Sequence, residues 1–346
     1  MTDAPLIDIP ALDRWIGGQL GGHEDRLTAE RVSTGASNEM FELRRGGEAW
    51  ILRRPPRHKV SRSAHDMGRE FRVLNALEGT NVPHPRPLLL CEDQGVIGAP
   101  FFVMEKIEGF APREPLPPPF DRDPGVRHDM GLRLVEGIAE LANVDWRAAG
   151  LEGFGKPEGF LERQVGRWLG QLETYRSRDI PGLDEVAAWL EDARPSGSEP
   201  AILHGDYQLI NVMFAPQSPA RLAAIVDWEQ STIGDPLLDL GWLLAGWQDP
   251  DEEDARFTSA YFADRTGLPT RAELAGRYAA AGGRPLDRLD YYVVLALFKL
   301  ACILEGSYHR FATGRSDNPM HEAMGPLVLR LMNQARGVAR TGPEGL

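Results

Sequence analysis

Leu203-His204-Gly205-Asp206-Tyr207-Gln208-Leu209-Ile210-Asn211, followed by Ile225-Val226-Asp227-Trp228-Glu229, is the part of the chain whose reading decides the rest. The first stretch has the pattern His-x-Asp-x-x-x-x-Asn. The second sets another Asp at the end of a short apolar run, Leu222 to Val226. Phosphoryl transfer from ATP needs a carboxylate to orient the accepting hydroxyl and oxygen ligands for magnesium. Asp206 suits the first task; Asn211 and Asp227 suit the second. Mg²⁺ prefers hard oxygens and usually takes only one or two from protein, so an Asn plus an Asp is enough. Alone, each of these residues reads as a turn former or a helix cap. The ordered set points to a phosphotransferase site.

The surrounding composition is compatible with that chemistry and excludes others. At 346 residues the chain is long for one compact core, and two lobes are expected. A net charge of -13 argues against a nucleic-acid partner, which calls for a basic face, and against docking on an anionic membrane. No apolar run approaches the roughly 20 residues that span a bilayer. Met1 to Pro10 holds two Asp and no Lys or Arg, unlike a signal peptide. Two cysteines, Cys91 and Cys302, lie far apart without Cys-x-x-Cys spacing, which suits a reduced cytoplasmic protein.

Upstream of the central stretch the chain reads as β-rich. Residues 7 to 20 carry apolar positions at helical spacing, and Arg31 to Leu43 reads as strand, small-residue turn, strand. The turn Ser33-Thr34-Gly35-Ala36-Ser37-Asn38 is small enough to bring backbone N–H groups close to phosphates, although an ordinary hairpin would look the same. Ala49 to Arg53 reads as a strand ending in a base that can pair ATP phosphates or sit as a solvated edge charge. Ala64 to Leu77 is helical in pattern, with Glu70 near its middle. In kinases the strand base is held by a Glu on the next helix; Arg53 and Glu70 are the pair that suits this. Leu88 to Cys91 and Phe101 to Glu105 read as two more strands. Lys106 to Phe120 contains five prolines and serves as a linker.

Downstream the pattern is helical: Met130 to Asn143, Phe160 to Tyr175, Glu185 to Ala193, a helix opened by Gly234-Asp235-Pro236, then Ala255 to Thr266, Arg271 to Ala281, Asp287 to Tyr308 and Glu322 to Ala335. Asp235 is explained as a helix cap, with Pro236 at the first helical position. Asp239 falls among leucines and Trp242, where a carboxylate needs a partner.

With these residues assembled, the sequence resembles the aminoglycoside phosphotransferase and choline kinase group of small-molecule kinases. More narrowly it is similar to the kinase-like domains related to those fused to acyl-CoA dehydrogenases. The markers are Ser33 to Asn38, Leu52-Arg53-Arg54-Pro55-Pro56, Ser63-Ala64-His65 with Arg69-Glu70-Phe71, Leu203 to Asp206, Asp227-Trp228-Glu229 and Gly234 to Leu240. The resemblance implies an α+β, bilobal, protein-kinase-like fold: a β-rich nucleotide-binding lobe over 1–105, a hinge and linker over 106–123, and a mainly helical lobe over 124–346. It implies ATP and Mg²⁺ as cofactors, Asp206 as catalytic base, and Asn211 and Asp227 as metal ligands. Ser33, Thr34, Gly35, Ala36, Ser37 and Asn38 would cover the phosphates. Arg53 would contact them, held by Glu70. Met104, Glu105 and Ile107 belong to the hinge that receives adenine, and His204 and Asp239 would support the loop. Two departures stand out: Arg53 where most kinases have Lys, a planar fork for a point charge, and Ile210 where a small residue is expected.

The expected reaction is ATP-dependent phosphorylation of a hydroxyl on a small molecule. A protein kinase fits less well, for the chain has no Asp-Phe-Gly and no Ala-Pro-Glu. A nucleotide-binding pseudokinase would have lost a catalytic or metal-binding residue, and none is lost. The acidic loop Asp249 to Asp254 would suit a polycationic aminoglycoside. Lys299 and Arg310, within and just after the long helix Asp287 to Tyr308, suit an anionic acceptor with an apolar portion, although Arg310 can equally be a solvated charge. The resemblance favours a hydroxyacyl-CoA-like metabolite, with an aminoglycoside as runner-up.

Overall fold

The structure is a computed structural model and describes residues 6–22, 24–32, 38–56, 66–113, 115–196, 199–252 and 264–342. Its N-terminal part is one antiparallel sheet made of β1 (Thr28–Val32), β2 (Glu39–Arg45), β3 (Glu48–Arg54), β4 (Pro87–Cys91) and β5 (Phe101–Glu105), in the order β1-β2-β3-β5-β4. Gly46 and Gly47 close the β2–β3 hairpin with φ of 57° and 84°, the paired positive φ that a tight two-residue hairpin turn requires.

The alternation of strand side chains sets the site. Trp50 and Leu52 of β3 point to an outer core with Phe41, Leu43, Phe101 and Val103, capped by helix α1 (Ile9–Ile16) through Leu12 and Ile16. Arg45 ends that outer face. Its guanidinium is buried against the carbonyls of Gly17, Leu20 and Gly21 and the carboxylate of Asp13. Ile51 packs on the other core, and period two carries Arg53 to that same inner face. There it meets helix α2 (Met67–Ala76), whose buried residues Met67, Glu70, Val73 and Leu74 recur at helical spacing. Glu70 is therefore presented to Arg53 by two independent periodicities.

The rest is mainly helical: α3 (Pro124–Ala142), α4 (Gln164–Glu173), α5 (Leu183–Asp192), α6 (Leu237–Ala245), α7 (Arg271–Ala280), α8 (Leu289–Ala312) and α9 (Pro319–Thr341). Helix α8 is buried all round through its first half and packs on α9, α6 and α4. Two short ladders flank the central stretch, β6 (Ala201–Leu203) with β9 (Thr232–Gly234), and β7 (Val212–Phe214) with β8 (Leu222–Ile225). Phe110 and Phe214 exchange backbone hydrogen bonds, both 2.9 Å, which ties the Pro-rich segment to β7.

Several expected boundaries shift for local reasons. Helix α3 starts at Pro124, not Met130, because Asp123 caps it and Pro124 is pre-organised for the first turn. Asn318 and Pro319 do the same for α9, three residues before the expected start, and α8 continues to Ala312. Of the expected helix Ala255 to Thr266, residues 255–263 lie outside the described residues, and Asp264 to Thr266 are not helical. Among the described residues no helix is long and apolar enough to cross a membrane.

Candidate active site

The loop after β6 is held from beneath by α6. The buried Asp239 carboxylate accepts the backbone N–H of His204 at 2.6 Å and of Gly205 at 2.8 Å. The apolar setting of Asp239 thus has its partner in the loop. Burial pushes this carboxyl up to about 6, against the pull of those two amides. Gly205 adopts φ 84°, and a Cβ there would stand 2.5 Å from the Gln230 carbonyl oxygen, so glycine is required twice over.

His204 is fully buried and neutral, and burial lowers it to about 4. Its Nε2 lies 2.9 Å from the Val226 carbonyl, and its Nδ1 accepts the Asp206 amide at 3.3 Å, which assigns the proton to Nε2. One imidazole thereby ties the loop to the strand that delivers Asp227. The Asp206 carboxylate is fixed by three donors. Gln208 Nε2 at 2.7 Å and Trp242 Nε1 at 3.1 Å reach Oδ1, and Asn211 Nδ2 at 2.8 Å reaches Oδ2. Asn211 Nδ2 also reaches the Asp206 carbonyl at 2.8 Å, so its amide oxygen is the group left for another ligand. Burial raises Asp206 to about 6, with Lys299 opposing and Asp227 adding to the rise.

From β3, Arg53 Nε donates to Glu70 Oε2 at 3.0 Å and Nη2 to Asp227 Oδ1 at 2.5 Å, with Glu229 Oε2 at 3.7 Å. Burial works against the guanidinium charge, but the carboxylates of Glu70, Asp227 and Glu229 outweigh it and hold Arg53 above its ordinary value. Burial lifts Glu70 to about 7 against the pull of Arg53. Asp227 sits at φ 68° and ψ 63°, a left-handed conformation that Asp tolerates better than most residues and that turns its carboxylate back toward Arg53. Asn38 Nδ2 donates to Glu229 Oε2 at 2.9 Å, while the buried Asn38 amide oxygen has no partner among the described residues.

The structure thus gathers Asn38, Arg53, Glu70, His204, Asp206, Asn211, Asp227 and Asp239 into one connected set. Met104 and Glu105 end β5, with Ile107 just beyond, where the expected hinge leaves the sheet. Ser33, Thr34, Gly35, Ala36 and Ser37, like Ser63 to His65, lie outside the described residues. Lys299 belongs to the loop, for its Nζ donates to the Gly205 carbonyl at 2.8 Å. Arg310 does not: it is exposed at the end of α8, bonded to Ser307, and eleven residues of helix put it about 16 Å along the axis from Lys299. In the described part of the acidic loop Asp249 and Glu252 both pair with the buried Arg271, while Asp251 is exposed. Gln208, Trp242 and Glu229 were not foreseen as site residues. Trp242 stands in the apolar run beside Asp239, and Glu229 follows Asp227 in the motif, but only the tertiary fold aims them.

Among the described residues no group of three His, Cys, Asp or Glu forms a metal cage. A magnesium ion shared with phosphates needs less, and the Asn211 amide oxygen with the Asp227 carboxylate are hard ligands of the right type.

The profile of the phosphotransferase enzyme family matches residues 28–276. Acyl-CoA dehydrogenase family member 11 from Rattus norvegicus is 33% identical over 318 residues, 90% of this chain, and the chain spans about 40% of the length of that relative. A candidate aminoglycoside phosphotransferase from Ralstonia eutropha JMP134 superposes with a TM-score of 0.83 at 30% identity, over 96% of this chain and 98% of that one. A thermostable mutant of aminoglycoside phosphotransferase APH(4)-Ia, in ternary complex with ADP and hygromycin B, shares the fold at a TM-score of 0.58 and 15% identity, over 96% and 99% of the two chains. The chain belongs to the phosphotransferase enzyme family, whose small-molecule kinases have this α+β, kinase-like fold.

Proposed function

We propose that the protein transfers the γ-phosphoryl group of ATP to a hydroxyl of a small molecule. The observation that carries this reading is the convergence of Asp206 and Asn211 from the loop after β6, Asp227 from the turn after β8 and Arg53 from β3, three separate segments, on one site. Asp206 takes the proton of the acceptor hydroxyl as the new O–P bond forms and ADP departs. Its carboxylate is oriented by Gln208, Trp242 and Asn211. Arg53, held by Glu70, pairs the phosphates. Asn211 and Asp227 hold Mg²⁺, which when bound neutralises phosphate charge. Residues 33–38 would cover the phosphates and the backbone of 104–107 would receive adenine. In this reading 1–105 is the nucleotide lobe, 106–123 the hinge and linker, and 124–346 the lobe that takes the acceptor.

For the acceptor we favour a hydroxyacyl-CoA-like metabolite. The support is the relative named an acyl-CoA dehydrogenase family member, of which this chain matches 40%. Lys299 adds to it, as an ammonium beside the proposed base disfavours a polycation. The aminoglycoside reading draws on the neighbour bound to hygromycin B. Yet Asp249 and Glu252, two of the carboxylates of that loop, pair with the buried Arg271. A protein kinase is disfavoured because residues 228–234 hold one short turn and the three residues of β9, with no room for an activation segment. The test is ATP consumption over a panel of hydroxyacyl-CoA thioesters of varied chain length, aminoglycosides, macrolides and amino alcohols. Turnover of kanamycin-type acceptors with none on any hydroxyacyl-CoA would overturn the acceptor assignment.

A further inference from the structure

The peptide joining Gly205 to Asp206 is planar, so its carbonyl and its N–H turn as one body. The N–H end is bonded to His204 Nδ1, and the carbonyl end to Lys299 Nζ at 2.8 Å. The preceding residue is a glycine at φ 84°, which supplies no side chain to resist rotation of that plane. The same ammonium stands 4.1 Å from the centroid of the Trp242 ring and 5.7 Å from that of Trp168. Trp242 in turn donates its indole N–H to Asp206 Oδ1. One cation on α8 therefore reaches one carboxylate by two routes, through the backbone and through the indole.

We propose that Lys299 is a positioning residue, whose ammonium locks the Gly205–Asp206 peptide and the Trp242 ring so that the Asp206 carboxylate keeps one orientation toward the cleft. This departs from the expectation that Lys299 is an acceptor contact. It rests on Asp206 being the proposed base. Both routes favour a half-buried cation: a charge-assisted hydrogen bond to a carbonyl, and a cation over an indole face. The charged groups that act on Lys299 are Asp206 from the loop, Asp239 from α6 and Arg167 from α4. Burial lowers its pKa to about 8, with the two carboxylates opposing, so it remains a cation at neutral pH.

The test is hydrogen–deuterium exchange of the full chain read by mass spectrometry, with Mg-ATP affinity measured on the same samples. In Lys299→Met the amides of the 203–211 segment should exchange about tenfold faster or more, as expected for the loss of a hydrogen bond to a charged donor. Segments of α9 should be unchanged, and Mg-ATP affinity should hold. Lys299→Arg, which keeps the charge, should restore most of the protection. Trp242→Phe, which keeps the ring but not the N–H, should loosen the loop less than Lys299→Met. Unchanged 203–211 exchange in Lys299→Met would overturn the proposal. So would an equal rise in α9, no rescue by Arg, or a parallel loss of Mg-ATP affinity. If Lys299→Met does not accumulate as folded protein, Lys299→Gln keeps a donor for the carbonyl without the charge. Its loop exchange should fall between wild type and the tenfold change, and wild-type exchange would count against the proposal. Exchange does not depend on turnover, so a failure of the base assignment and a failure of this inference are distinguishable.

Discussion

Arg53 Nη2 stands 2.5 Å from Asp227 Oδ1 and so joins the N-terminal sheet to the turn after β8. The two residues are 174 positions apart in sequence, and the contact makes the cleft one electrostatic unit. On its other side Arg53 is the counter-charge of the buried Glu70. Removing it should destabilise the fold by about 3–5 kcal/mol, because a buried carboxylate is left unpaired, and should raise the ATP concentration needed for half-maximal turnover. Arg53→Lys should fall between wild type and Arg53→Ala, since it keeps the charge but not the fork that spans both carboxylates. Urea unfolding and ATP titration of the two variants read these effects, and wild-type stability in Arg53→Ala would contradict the pairing.

Asp227 is the one anionic magnesium ligand proposed. Asp227→Asn tolerates the left-handed backbone, so it separates charge from strain better than Ala does. We expect the magnesium-dependent part of ATP affinity to drop by at least about tenfold, or 1.4 kcal/mol, with binding in the presence of EDTA little changed. Calorimetric titrations with and without Mg²⁺ compare the two. Equal Mg-ATP affinity in wild type and variant would remove Asp227 from the metal site.

The 203–211 stretch, Asp227 and the Arg53–Glu70 pair were legible in sequence as candidate site residues because each is set by local order or by a strand or helix period. Asp239 was legible as a buried carboxylate in need of a partner, and it finds two backbone amides. Trp242 and Glu229 were not, because nothing in their neighbours says that α6 and the turn after β8 aim them at Asp206 and Arg53; Gln208 was not, because a polar residue two places after Asp206 reads alike whether it turns back to the carboxylate or faces solvent. Arg310 stands exposed near the end of α8, and a base there reads alike in sequence whether it faces a pocket or solvent. Strands β6, β7 and β9 are three residues each, too short for any period to show. The Asn318-Pro319 and Asp123-Pro124 start signals were present but lay ahead of the apolar stripe used to find the helices.

The pH dependence follows from burial. Asp206 is raised to about 6 in the free protein, and only its ionised form accepts a proton, so kcat/KM should fall as pH drops through about 6. For stability the sign is opposite. A carboxyl whose folded value exceeds its ordinary one contributes stability that is complete below about pH 4 and is lost as pH rises through about 6. Asp206→Asn lacks that loss, so its stability relative to wild type should grow from pH 4 to 7. Urea unfolding of both proteins across that window, without nucleotide or magnesium, measures the difference, and a gap independent of pH would contradict the shift.

Helix α2 presents Glu70, and two arginines pin it to the helical part. Arg69 donates to the Ser231 carbonyl at 2.9 Å and lies 3.7 Å from the Phe154 ring centroid, and Arg72 reaches the carbonyls of Gly150 and Glu152 at 2.7 and 2.8 Å. Arg69→Ala should loosen α2 and weaken ATP binding several-fold, roughly the effect of one lost charge-assisted bond. The acceptor's KM should change little. Steady-state kinetics with ATP and acceptor varied in turn separate the two, and an effect confined to the acceptor would place Arg69 elsewhere in the mechanism.

The most direct measurement of the central claim compares wild type with Asp206→Asn in two assays, Mg-ATP binding by calorimetry and transfer of the γ-phosphoryl group to an acceptor hydroxyl by ³¹P NMR. The acceptor is any compound the panel shows wild type to phosphorylate. If Asp206 takes the hydroxyl proton, Mg-ATP affinity should remain near wild type while turnover falls by about 10² to 10⁴-fold. Near-normal turnover in Asp206→Asn would contradict the account.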